Sequence, residues 1–188
     1  MTFWKGKDIN DFKNKCFILN KEFIDKTCCS TGHRPQKLPW GFNENDNRYI
    51  IAKKKTRNAL LTAISKGYLY FISGMALGFD IMFAEVVLEL KEEYPNIKLI
   101  CIIPCEDQSN IWNKMQQARY HKILAQADYT HCLYKTYKEN TNCMIERNNY
   151  MLNISSLVIA LFNGKNGGTK RTLDTAKAQG KEIIIITP

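Results

Sequence analysis

From Lys26 onward the chain alternates short β-branched or apolar runs with longer segments of helical spacing, and this alternation restricts the fold more than any other feature. The strand-like runs are Thr27–Ser30, Tyr68–Ser73, Lys98–Ile103, Tyr129–Tyr134, Leu157–Phe162 and Glu182–Thr187. Helical spacing marks Arg48–Lys66, Asp80–Tyr94, Asn113–Ala127, Met144–Asn153 and Lys170–Gln179. Over Asp80–Tyr94, Phe83, Ala84, Val87, Leu88 and Leu90 make one apolar stripe, and Pro95 stops it. Such alternation predicts an α/β, Rossmann-like, doubly wound and mainly parallel sheet with helices on both faces. Sheets of this kind take ligands in the loops outside the carboxyl ends of their strands.

A chain of 188 residues holds one ordinary core, so residues 26–188 are expected to form one domain and residues 1–25 an appended arm. The arm intersperses Phe3, Trp4, Phe12, Phe17 and Phe23 with charged residues. Its aromatics are expected to pack on the domain, through a short helix over Asp8–Asn20, or against a second copy in a homo-oligomer. No stretch reaches the roughly 20 apolar residues of a membrane span, and Met1–Asp25 lacks a signal-peptide core. The expectation is a cytoplasmic protein without a membrane partner. Seven scattered cysteines without a C-x-x-C pair do not make a disulfide framework. Cys28, Cys29, Cys101 and Cys132 read as small buried hydrophobes. Cys101 and Cys105, with His131 and Cys132 elsewhere, come nearest to a metal set, but neither metal nor cofactor is expected.

The unusual residues fall in the strand-end loops. Thr31, Gly32, His33 and Arg34 follow the first strand, where glycine allows a close turn and the basic pair adds donors suited to phosphate. Ser73, Gly74 and Met75 follow the second and lead through Gly78 to Asp80 at the start of the best helix, whose free N–H groups favour an anion. Asp80 is expected either to cap those groups or to hold a ribose hydroxyl. Asn163, Gly167, Gly168 and Thr169 lie in a glycine-rich stretch before the last helix, which is neither a Walker loop nor a dinucleotide fingerprint. On the helix carrying Glu146, Arg147 and Asn148, the amide sits inside the apolar stripe and Arg147 is a partner for phosphate or for Asp80. The formal net charge of +9 agrees with an anionic partner.

Four co-linear stretches, Thr31–Pro35, Ser73–Asp80, Arg147-Asn148 and Gly167-Gly168-Thr169, together resemble the SLOG superfamily and, within it, the YpsA-like proteins. The resemblance runs from about Lys26 to Pro188 and implies a Rossmann-like fold with a pocket for a phosphorylated, nucleotide-derived ligand. Relatives include phosphoribohydrolases that release a base from a nucleotide, DNA-processing protein A, which binds single-stranded DNA, and sensor domains for cyclic ADP-ribose signals. The hydrolases carry G-G-x-G-T-x-x-E, whereas here Lys170 and Arg171 replace the third glycine and its threonine, and Asp174 replaces the glutamate. The leading expectation is a non-enzymatic sensor or sequestering protein for an ADP-ribose-like or other nucleotide. The alternatives are a nucleotide N-glycosidase using Asp80, Glu146 or Asp174, and a module for single-stranded DNA or protein interaction. Trp40, Phe42 and Trp112 are candidates to stack on a base.

Overall fold

The computed structural model describes Lys7–Asp8 and residues 21–188. Its strands are β1 (Lys7–Asp8), β2 (Thr27–Gly32), β3 (Tyr70–Ser73), β4 (Lys98–Cys105), β5 (Tyr129–Tyr134), β6 (Leu157–Leu161) and β7 (Glu182–Ile186). Its helices are α1 (Lys21–Asp25), α2 (Asn47–Ser65), α3 (Phe79–Lys91), α4 (Lys114–Gln126), α5 (Cys143–Asn153) and α6 (Gly168–Ala178). The helix expected over Asp8–Asn20 lies outside the described residues, except that Asp8 belongs to β1.

Among the described residues the strands form one all-parallel sheet in the order β1-β5-β4-β3-β2-β6-β7. β2, β4 and β6 are buried along nearly their whole length, which is why they read as continuous apolar runs. One face is covered by α2, α3 and α4 through Leu60, Phe83, Val87 and Tyr120. The other is covered by α1, α5 and α6 through Phe23, Met151, Leu152 and Leu173. Lys21–Asp25 thus forms a helix whose Phe23 packs on Tyr70, with ring centroids 4.7 Å apart. The six described cysteines are free thiols, and no described helix is long and apolar enough to cross a membrane.

The chain builds outward from β2 to β5, then returns to place β6 on the other side of β2. The strand order therefore reverses between β2 and β6, and a crevice opens at their carboxyl ends. β4 runs on through Pro104 to Cys105, whereas the strand-like run in the sequence ended at Ile103. β3 ends opposite Cys101, so beyond that point β4 has only β5 beside it and a missing N–H on one side costs little.

Two glycines let the loops close over this crevice. A Cβ on Gly32 would lie 2.4 Å from Phe79 Cβ, so β2 and α3 meet only because no side chain stands there. Gly78 has φ +99°, and a Cβ there would come within 2.5 Å of the His33 carbonyl oxygen. Gly78→Ala is accordingly expected to cost about 2–4 kcal/mol in urea unfolding, combining strain with overpacking. Gly41→Ala, at φ +57° with open space around it, is expected to cost about 1 kcal/mol from strain alone. Equal losses for both would show that the contact with His33 is not what requires glycine.

Candidate functional site

The crevice is a cleft of about 320 Å³ lined by the end of β2 and the turn after it (between Ser30 and Lys37), by Ala76 and Asp80, by α5, and by the start of α6. Its floor is an ion pair. Asp80 Oδ2 lies 3.5 Å from Arg147 Nη1, and both side chains are at least nine-tenths buried. Arg147 Nη1 also donates to the Gly74 carbonyl. A Cβ on Gly74 would overlap that guanidinium, so the glycine is what lets the arginine lie over the loop. Asp80 further accepts from Ser30 Oγ at 3.3 Å and from the Ala76 amide at 3.3 Å. Burial pushes the Asp80 carboxyl up and the Arg147 guanidinium down, while their mutual attraction opposes both shifts.

Of the two roles expected for Asp80, the helix cap is not the one it takes. Gly78 is the N-cap residue of α3, and Asp80 turns back to hold the preceding loop. Ser73, Gly74 and Met75 lie beneath the cleft. Ser73 Oγ donates to the Asp80 carbonyl and accepts from the Met75 amide. Met75, at φ 56°, is held by Gln108 Nε2 donating to its carbonyl.

His33 ties the loop after β2 to the loop after β6. Its Nε2 accepts from the Asn163 amide at 3.2 Å, and its Nδ1 lies 3.4 Å from Thr169 Oγ1. A backbone amide can only donate, so Nε2 is the bare nitrogen and Nδ1 carries the proton. The Thr169 hydroxyl then receives from His33 and keeps its own hydrogen for another acceptor. Burial, with Lys37 nearby, lowers the His33 pKa and favours this neutral ring. Asn163 also binds the Lys37 carbonyl through Nδ2, so it shapes the rim without lining the cleft.

α6 begins at Gly168 with Gly167 as N-cap residue and no side chain capping its first N–H groups. Nothing lies within 4 Å of a Cβ placed on Gly168, so there is open space beside this helix start. The Lys37 ammonium stands 2.7 Å from where a Gly167 Cβ would be. Gln36 and Lys37 were not picked out from the sequence. The signal was their position directly after Thr31–Pro35, in the short 3₁₀ turn Pro35–Lys37. Arg34 is exposed at the opposite rim, and neither cation forms an ion pair with a carboxylate among the described residues.

Other expected residues lie apart. Asn148 lines the cleft and donates to Thr172 Oγ1 at 3.1 Å, which joins α5 to α6. On α5 it is Arg147, more than Asn148, that points fully inward. Glu146 is exposed and accepts from Tyr134 and Asn140. Asp174 is exposed on α6, where Lys170 donates to it at 2.6 Å. Neither carboxylate lines the cleft. Trp40 packs edge-on against Tyr49 and Trp112 against Tyr120, both in the core, whereas Phe42 is exposed away from the cleft. No described group of His, Cys, Asp or Glu is arranged to hold a metal ion.

Removing one partner of the buried pair leaves the other uncompensated. Arg147→Met is expected to cost about 3–5 kcal/mol near neutral pH. Without the arginine, the Asp80 pKa in the folded state rises further above its unfolded value. That contribution favours folding at low pH and is lost as pH rises through the folded pKa, so the variant should be penalised less at about pH 5 than at about pH 8. Pairing it with Asp80→Asn should recover part of the loss. Additive losses in the double variant, measured by chemical unfolding, would show that the pair is uncoupled.

The YpsA family model, described as the YspA SLOG family, matches residues 28–186. The chain is similar to the UPF0398 protein YpsA of Bacillus subtilis, 29% identical over 86% of this chain and 92% of that one. It is also similar to a UPF0398 protein of Brevibacillus brevis, 30% identical over 73% of each chain. Among solved structures it superposes on DNA processing protein A from Helicobacter pylori, described for its single-stranded DNA binding mode. The TM-score there is 0.58, with 19% identity, over 88% of this chain and 68% of that one. DNA processing protein A from Streptococcus pneumoniae gives the same TM-score at 14% identity, with 52% of that chain covered. These structural likenesses establish the Rossmann-like fold, and the match of the family model across nearly the whole described sheet shows that the chain belongs to the YpsA SLOG family.

Proposed function

We propose that the cleft binds the phosphate of a small nucleotide-derived ligand, such as a nucleoside phosphate or an ADP-ribose-like molecule, and that the protein senses or sequesters it. The observation that carries this reading is the placement of the Lys37 ammonium over the uncapped start of α6. A cation beside the positive end of a helix is unfavourable unless an anion sits between them. Phosphate satisfies the free N–H groups, Lys37 and the remaining Thr169 hydrogen at once. The cleft is at the small end of the usual range for ligand pockets, which suits a phosphate and its ribose.

Turnover is not part of this reading. Cleavage of an N-glycosidic bond needs a carboxylate that meets the ribose, and Glu146 and Asp174 both lie outside the cleft. Asp80 is within it but is neutralised by Arg147. The alternative is a single-stranded DNA groove, favoured by the likeness to DNA processing protein A and by the net charge of +9.

Gly168→Asp adds bulk and negative charge in open space, so it should fold normally yet abolish the thermal stabilisation given by AMP and ADP-ribose. Lys37→Ala should weaken the same ligands about fivefold to tenfold. Affinity for them should fall only modestly between about 50 and 200 mM salt, because one or two phosphates displace few counterions. Tight binding of oligo-dT with a steep salt slope, and none of either nucleotide, would replace this reading with the DNA groove.

A further inference from the structure

β7 closes one edge of the sheet among the described residues, with only β6 beside it. The Glu182 amide donates to Ser156, and the Ile186 carbonyl accepts from Phe162, so Glu182, Ile184 and Ile186 turn their backbone groups inward. Ile183 and Ile185 therefore direct their N–H and C=O groups outward, along an edge made of consecutive isoleucines. Ile185 is about half exposed, and so is Ile51, one turn before Lys55 on the α2 face that flanks this edge. An apolar edge without proline or a central charge is a template for another strand.

The charges at its ends select the occupant. Lys55 Nζ donates to the Thr187 carbonyl at 3.1 Å, placing a cation at the carboxyl end. Glu182, paired with Lys66, places a carboxylate at the amino end. We infer that β7 pairs antiparallel with β7 of a second copy about a two-fold axis through Ile184, joining the two sheets into one. Ile183 and Ile185 of opposite copies then exchange N–H and C=O bonds twice over. The same register brings Glu182 toward Lys55 of the partner subunit at both ends, so the contact is self-complementary and closed. Parallel pairing would set like ends together and forfeit that match.

Analytical ultracentrifugation of the full chain over about a hundredfold range of concentration tests this. The expected species is a dimer of twice the 21.8 kDa chain mass, dissociating on dilution. Ile185→Lys should weaken it by about a hundredfold or more. Lys55→Glu, an exposed change that spares the core, should weaken it about tenfold at low salt by opposing two carboxylates. Met115→Lys, at an exposed apolar residue elsewhere, should leave it intact. Hydrogen exchange at the Ile183 and Ile185 amides should slow as the dimer forms. A monomer at every concentration overturns the inference, as does a dimer that survives Ile185→Lys in a folded variant. Either result leaves the nucleotide reading untouched, since the cleft lies at the strand ends and does not include β7.

Discussion

A doubly wound sheet keeps its two helical layers apart by its own thickness, and they can touch only beyond the strand ends. Here that meeting is made by Asp80 and Arg147. Asp80 comes from α3 on one face, and Arg147 from α5 on the other. A buried ion pair is costly to desolvate and contributes little net stability compared with apolar packing, but it tolerates no loss of one partner. Its value is positional. The pair fixes the loop after β3 through Gly74 and Ala76, and it fixes β2 through Ser30, so the cleft floor is set before any ligand arrives.

The same economy explains which residues remain for binding. Asp80, His33 and Asn163 engage one another's loops and the backbone, while Arg147 gives Nη1 to Asp80 and the Gly74 carbonyl and leaves its buried Nε without a partner. What they leave uncommitted is a ring of donors: the first N–H groups of α6, the Thr169 hydroxyl, Lys37 and Arg34. His33 matters because its tautomer decides the direction of the Thr169 hydrogen. A charged imidazole would also lose its acceptor role toward Asn163, so the neutral ring keeps both loops in place.

Much of the fold was legible because the sheet is parallel and covered on both faces, which writes its strands as apolar runs and its α3 helix as a single stripe. The strand ends that line the cleft were legible too, since the odd residues cluster in loops after strands, but the strand order that makes β2 and β6 neighbours was not. What failed was local accounting of side-chain roles. Asp80 sits where a helix cap is common, and nothing in its neighbours says that it turns backward to Ala76. For Arg147 the pairing with Asp80 was one of the two partners read from the sequence, and the structure shows it; what patterning missed is that Arg147, more than Asn148, takes the inward position of α5. Lys37 resembles any loop lysine until the start of α6 is placed beneath it. Asp174 and Glu146 were drawn in by motif position, but helix rotation turns both outward.

The likeness to DNA processing protein A establishes a shared fold, and the chain's own charges bear on what that fold holds. A track for a nucleic-acid backbone needs cations repeated along a surface at phosphate spacing. The densest basic run here, Lys53-Lys54-Lys55 with Arg57, lies on α2, which does not line the cleft. Three of its cations are already engaged, Lys53 with Glu89, Arg57 with Glu93, and Lys55 with the Thr187 carbonyl. This basic run is thus not a row of unengaged cations. At the cleft, by contrast, Arg34 and Lys37 are without carboxylate partners among the described residues and converge with a helix terminus on one small volume. Charge concentrated at a point suits a compact phosphate better than a polymer.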